Sequence, residues 1–275
     1  MTQTLERRKA GPEAIKQRQQ QAWASGDFAV VAARIVLVAE QLCDSADLHA
    51  GWRVLDVATG SGNAAIAAAR LGCTAVGVDY VPSLLERGRA RAAAEGLPVE
   101  LIEGDAESLP FEDDSFDAVT SVYGAMFAAN HEQTAAELLR VCRPGGTIAL
   151  ASWTPEGFIG EPFRTVAGYV PPPAGVPSPM LWGTEGRLRQ LLGDGVASLE
   201  LAERTFSFRF PSAEDFVAFF RRWYGPTLGA FAALEEAARD ELARDLAALA
   251  RRFDRLGSDA IAIPATYTEA VAVTR

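Results

Sequence analysis

Cysteine, histidine and long apolar runs are scarce in this chain, and each shortage removes a class of function. The three cysteines, Cys43, Cys73 and Cys142, are odd in number, far apart and without metal-ligand spacing. Neither a disulfide framework nor a zinc site is expected, and reduced thiols point to a cytoplasmic protein. The longest apolar stretch, residues 28–39, is short and broken by Arg34, while residues 1–21 are charged and glutamine-rich without an apolar centre. A membrane span and a signal peptide are therefore not expected. Basic residues are outnumbered, 26 Lys and Arg against 36 Asp and Glu, for a net charge of −10. That balance disfavours a nucleic-acid partner, because a phosphate backbone is held by a basic face.

What the 275 residues do contain is organised around Arg53-Val54-Leu55-Asp56-Val57-Ala58-Thr59-Gly60-Ser61-Gly62-Asn63. The length suits one α/β domain with a cap better than two independent domains. Val54, Leu55 and Val57 around Asp56 make a run too short for a buried helix, so a parallel-sheet strand is expected. The alanine-rich residues 63–71 stop at Gly72 and read as the following helix. Between them Gly60 and Gly62 permit a sharp turn and a close approach of ligand to backbone.

Two cofactors suit such a turn. Gly60-Ser61-Gly62-Asn63-Ala64-Ala65 satisfies a loose dinucleotide fingerprint, and Asp79 lies 19 residues after Gly60, near the place of an NAD-binding carboxylate. Asp56 argues against NAD: it would repel a pyrophosphate, and no Lys or Arg between Val54 and Ala69 offsets it. A ligand carrying a cation at that point is favoured.

The same stretch resembles the first motif of the class I S-adenosylmethionine (SAM)-dependent methyltransferases. Val76-Gly77-Val78-Asp79 resembles the family's second strand with its ribose-binding acid, and Gly104-Asp105-Ala106-Glu107 its adenine loop. Arg140-Val141-Cys142-Arg143-Pro144-Gly145-Gly146 resembles the turn before strand five. The four motifs stand in family order, and the chain is most similar to the type 11, ubiquinone/menaquinone-biosynthesis-like, small-molecule branch. The resemblance implies a Rossmann-like, mostly parallel seven-stranded sheet in the order 3-2-1-4-5-7-6, with strand seven antiparallel beside strand five. It also implies SAM as cofactor, S-adenosylhomocysteine as product, and no metal. The cofactor-binding residues it suggests are Trp23, Phe28, Asp56, Ala58, Thr59, Gly60, Gly62, Asn63, Asp79, Tyr80, Leu84, Gly104, Asp105, Ala106, Glu107, Ser121 and Val122. Asp56 would attract the methionine ammonium, Asp79 would accept both ribose hydroxyls, and Asp105 would accept from the adenine amine.

The single domain divides into an N-terminal helical lid (residues 13–48), a SAM-binding core (50–155), and a substrate cap with the last two strands (156–275). Residues 1 to 12 read as a disordered tail. Trp23 and Phe28 around Gly26-Asp27 either fold over the cofactor or pack a helix onto the sheet. Residues 28–42 read as one amphipathic helix. The loop after strand four should face the methyl group, because ligands of open α/β sheets sit beyond the carboxyl ends of the strands. His131 there is either a base for the acceptor or the opening residue of a helix, and Tyr123 is a second catalytic candidate. Tyr123, Met126, Phe127, Trp153 and Trp182, with the proline-dense residues 170–179, either wall an apolar pocket or brace the surface. A helical insertion between strands six and seven, residues 212–258, carries Leu242, Leu246, Leu249, Phe253 and Leu256 at four-three spacing. That stripe suits packing within the chain or a homodimer seam.

The expected activity is methyl transfer from SAM to a small, apolar or aromatic acceptor through O, N or C. The alternatives are an NAD-dependent oxidoreductase and a SAM-binding protein that transfers no methyl group.

Overall fold

The computed structural model describes residues 11–173 and 175–275. All but the last two residues of the expected tail lie outside that range. Three helices come first: α1 (Pro12–Ala24), α2 (Phe28–Ala32) and α3 (Val36–Ser45). The helix read over residues 28–42 is thus two, parted by a turn at residues 33–35. Arg34 in that turn lays its guanidinium 4.6 and 4.2 Å from the ring centres of Phe210 and Phe219, a cation–π contact that a continuous helix would not need.

The chain then alternates through β1 (Arg53–Val57), α4 (Asn63–Arg70), β2 (Thr74–Asp79), α5 (Pro82–Ala94), β3 (Glu100–Glu103), β4 (Phe116–Val122), α6 (His131–Val141) and β5 (Cys142–Trp153). After it come α7 (Gly160–Tyr169), α8 (Glu185–Leu192), β6 (Val196–Phe210), α9 (Ala213–Trp223), α10 (Gly225–Ala232), α11 (Glu236–Phe253) and β7 (Ile261–Thr274). The strand order is β3-β2-β1-β4-β5-β7-β6, with β7 antiparallel to both neighbours. A dinucleotide-binding sheet of order 3-2-1-4-5-6 has no such inserted strand.

Leu55 in β1 lies between Val76 and Val119 and all three are buried, which is why this strand reads as an apolar run broken only by Asp56. The side chains of α4 from Ala64 to Ala69 are buried too. Being small, they let the helix lie close to the sheet and to α3.

The helical insertion between β6 and β7 is three helices, parted at Tyr224 and at residues 233–235; Pro226, which cannot continue α9, sits in the first turn of α10. Leu242, Leu246 and Leu249 of α11 are buried against α7 and α9, and the Phe253 ring lies 5.4 Å from that of Phe158. Leu242, Leu246, Leu249 and Phe253 of the leucine stripe thus pack within the chain. Leu256, beyond the helix, is 54% exposed. Leu242→Ala should lower the urea unfolding free energy by about 2–5 kcal/mol. Leu256→Ala should stay within about 0.5 kcal/mol. Equal losses in the two unfolding curves would contradict this packing.

Candidate functional site

A cavity opens at the carboxyl ends of β1, β2 and β4, with two carboxylates at its floor. Asp56, near the end of β1, is 2% exposed, and Asp79, the last residue of β2, is 6% exposed; both line the cavity. Every donor to them among the described residues is uncharged. Asp56 accepts from the Thr59 and Thr120 hydroxyls and from the Ala65 N–H. Asp79 accepts from the Gly60 N–H at 2.8 Å and the Val81 N–H at 2.9 Å. Burial pushes each carboxyl up to about 6, and the charge of Asp79 adds to the rise at Asp56.

Between the two carboxylates runs the glycine-rich turn. Gly60 and Gly62 have φ of +55° and +83°, a region open to glycine. Ala58 and Tyr123, at the ends of β1 and β4, also have left-handed φ, +52° and +56°. Such backbone costs about 1–2 kcal/mol per non-glycine residue and gathers at functional sites. Gly124 explains the closeness of these two loops: a Cβ there would lie 2.4 Å from the Ala58 carbonyl oxygen.

Helix α1 roofs the cavity. Lys16 Nζ donates to Asp105 at 2.6 Å and lies 2.7 Å from Glu107. Gln19 donates to the Phe127 carbonyl, and Gln20 to that of Tyr80. The Trp23 ring meets Phe28, Phe127 and Tyr224 edge-on at 5.0–5.5 Å. Lys16, Gln19 and Gln20 were not singled out from the sequence. Their spacing with Trp23, three, four and seven residues apart, places them on one helix face, but a polar face is ordinarily a solvated one.

Of the residues named from the sequence, Trp23, Phe28, Asp56, Ala58, Thr59, Gly60, Asn63, Asp79, Tyr80, Leu84, Asp105, Ala106, Glu107, Val122, Tyr123 and Phe127 line the cavity. Gly62, Gly104 and Ser121 stand behind it. Gly62 caps the start of α4. A Cβ on Gly104 would sit 2.6 Å from Val78 Cγ2. Ser121 Oγ donates to the Val57 carbonyl and accepts from the Ala125 N–H.

Four candidates belong elsewhere. His131 opens α6 as a fully buried side chain, edge-on to Trp182 at 5.6 Å and outside the cavity lining. Burial and then Arg187 hold its imidazole down at about 4. It is no base for a ligand in this cavity. Met126, Trp153 and Trp182 are buried in the core and do not line the cavity. The described residues of the proline-dense segment likewise do not line the cavity. Tyr123 is a wall: its ring stacks on Trp153 at 3.8 Å. Burial, Tyr267 and Glu269 hold its hydroxyl well above the ordinary value, which unsuits it as a proton acceptor.

Residues 55–150 match the methyltransferase domain family. An uncharacterised protein of Mycobacterium tuberculosis is 44% identical over 236 residues, 84% of this chain and 86% of its own. A demethylmenaquinone methyltransferase of Deinococcus radiodurans is 41% identical over 131 residues, 46% of this chain and 54% of that protein. Among solved structures, a Bacillus halodurans protein provisionally classed as a methyltransferase superposes with a TM-score of 0.60 at 21% identity. The match covers 86% of this chain and 97% of that one and speaks for the fold.

A carboxyl raised in the folded state stabilises the ligand-free protein fully below about pH 4, and that share is lost as pH rises through about 6. Asp56→Asn removes the loss while the Thr59 and Thr120 hydroxyls turn to suit the amide. The variant's melting temperature, relative to the unaltered protein, should be higher at pH 8 than at pH 5. A difference that does not change with pH would show that Asp56 is not held up.

Proposed function

The chain belongs to the class I SAM-dependent methyltransferases, in the type 11 branch, and from that premise we propose that it methylates a small, uncharged, apolar or aromatic acceptor. One observation carries the reading: two buried carboxylates, hydrogen-bonded among the described residues only by uncharged groups, line one cavity. The donors of SAM, an ammonium, two ribose hydroxyls and an adenine amine, match these acceptors in kind. A pyrophosphate would add negative charge beside Asp56 and Asp79.

Bound SAM supplies a methyl group made electrophilic by its sulfonium. The protein has then to hold, align and keep dry. Asp56 offers its carboxylate to the ammonium. Asp79 keeps a lone pair on each oxygen beyond the two backbone bonds, enough for two hydroxyls. Asp105 and Glu107 mark the adenine end, where the Lys16 ammonium now occupies Asp105. Trp23, Phe28 and Phe127 shut water out from above, and Tyr123 closes the acceptor side without exchanging protons.

The lining also supports an acceptor without negative charge. Lys16 is the one cation among the described lining residues, and both of its close partners are carboxylates. The demethylmenaquinone named for the Deinococcus relative is not carried across, because that likeness covers 46% of this chain.

S-adenosylhomocysteine should raise the melting temperature of the protein and NADH should not. Asp56→Ala should weaken S-adenosylhomocysteine binding, measured by calorimetry, by at least about tenfold, the worth of one charge-assisted hydrogen bond. Binding should strengthen from pH 5 to 7.5 and release protons near pH 6. Proton uptake in that titration would mean that neither carboxylate meets the cofactor. Methyl transfer itself is read as S-adenosylhomocysteine formed from SAM in the presence of uncharged aromatic acceptors.

A further inference from the structure

Behind the glycine-rich turn, outside the cavity lining, one guanidinium holds three oxygens. Arg91 Nη1 donates to the Ser61 carbonyl at 2.7 Å, to Ser61 Oγ at 3.1 Å and to Asn63 Oδ1 at 2.7 Å. The face of α5 that carries Arg91 is shaped for the turn. Gly88, three residues earlier on the same side, would with a Cβ meet the Ser61 carbonyl at 3.2 Å and Leu101 at 2.5 Å. Any larger residue there pushes the turn toward the cavity.

The contact does not stop at the turn. Asn63 is 7% exposed and lines the cavity. With its oxygen committed to Arg91, its amide nitrogen donates to the Ala32 carbonyl at 2.9 Å. Ala32 ends α2, and the Phe28 ring at the start of that helix lies 3.6 Å from where a Gly60 Cβ would stand. Arg91, Asn63 and α2 thus form a continuous polar link from the back of the turn to its aromatic cover. Both surfaces that would touch the cofactor, the turn below and Phe28 above, are referred to one side chain that touches neither the cavity nor the cover.

We propose that Arg91 is a positioning residue for the cofactor: it fixes the peptide orientation of the Ser61 turn and, through Asn63, the seat of α2 over it. The proposal rests on the reading of this cavity as the SAM site. Arginine is suited to the task because its long stem and planar guanidinium bring one nitrogen, Nη1, to all three oxygens. The single ammonium of lysine, on a shorter reach, serves them less well.

The test uses Arg91→Met and Arg91→Lys in the full chain, with S-adenosylhomocysteine affinity measured by calorimetry at a temperature where both are folded. Arg91→Met should bind at least about tenfold more weakly, with Arg91→Lys in between. Hydrogen exchange in the ligand-free Arg91→Met variant should quicken over residues 28–36, which Arg91 does not touch. If Arg91→Met does not fold, Arg91→Lys carries the same two readouts. A lowered melting temperature with unchanged affinity and unchanged exchange in α2 would overturn the proposal and leave Arg91 a stabiliser of α5. Failure of the unaltered protein to bind S-adenosylhomocysteine would instead overturn the SAM reading and this proposal with it.

Discussion

Burying negative charge without a counter-ion is the constraint on which the site depends. Asp56 and Asp79 stand at the ends of adjacent strands, and among the described residues nothing charged donates to them. Hydroxyls and backbone N–H groups from β4, the glycine turn, the start of α4 and Val81 just before α5 hold them instead. The same bonds define the turn, since Thr59 and Gly60 are consecutive and each donates to a different carboxylate. The chain therefore keeps in its ligand-free form a charge that a cationic ligand relieves. Left-handed Ala58 and Tyr123 add local strain beside it, the pattern expected where folding rules yield to binding.

Much of the core was legible in the sequence because its signals are local. The second strand ends at Asp79, where the Val76-Gly77-Val78-Asp79 motif places it, and the first covers Val54 to Val57 around Asp56 as its apolar run requires. The sheet order came with the family likeness, since no local pattern states which strand lies beside which. The cap was less legible. Helix α7 was missed among glycines and prolines, and residues 28–42 were joined because periodicity does not register a cation reaching for two phenylalanine rings.

The site errors share one cause. Trp153, Trp182 and His131 are rings close in sequence to loops that should face the ligand, and sequence does not say which way a ring turns. Trp182 turned inward and took His131 with it, so that each covers the other in the core. The opposite error hid Lys16, Gln19 and Gln20. A polar helix face ordinarily meets solvent, whereas this helix lies over a cavity whose acceptors these residues reach. Arg91 escaped because its partners lie nearly thirty residues away, beyond any local window.

The insertion between β6 and β7 adds no strand, yet it bears on the roof. A Cβ on Gly225 would lie 1.9 Å from the Ala22 carbonyl oxygen, and one on Gly26 2.3 Å from that of Trp223. The Asp27 N–H donates to the same Trp223 carbonyl. The first helix and the junction of α9 with α10 therefore meet backbone to backbone, like two leaves of a hinge sharing one pin. Lengthening or shortening the insertion moves that pin, so the entrance for an acceptor is set from the far end of the polypeptide while the floor beneath it stays where β1 and β2 leave it.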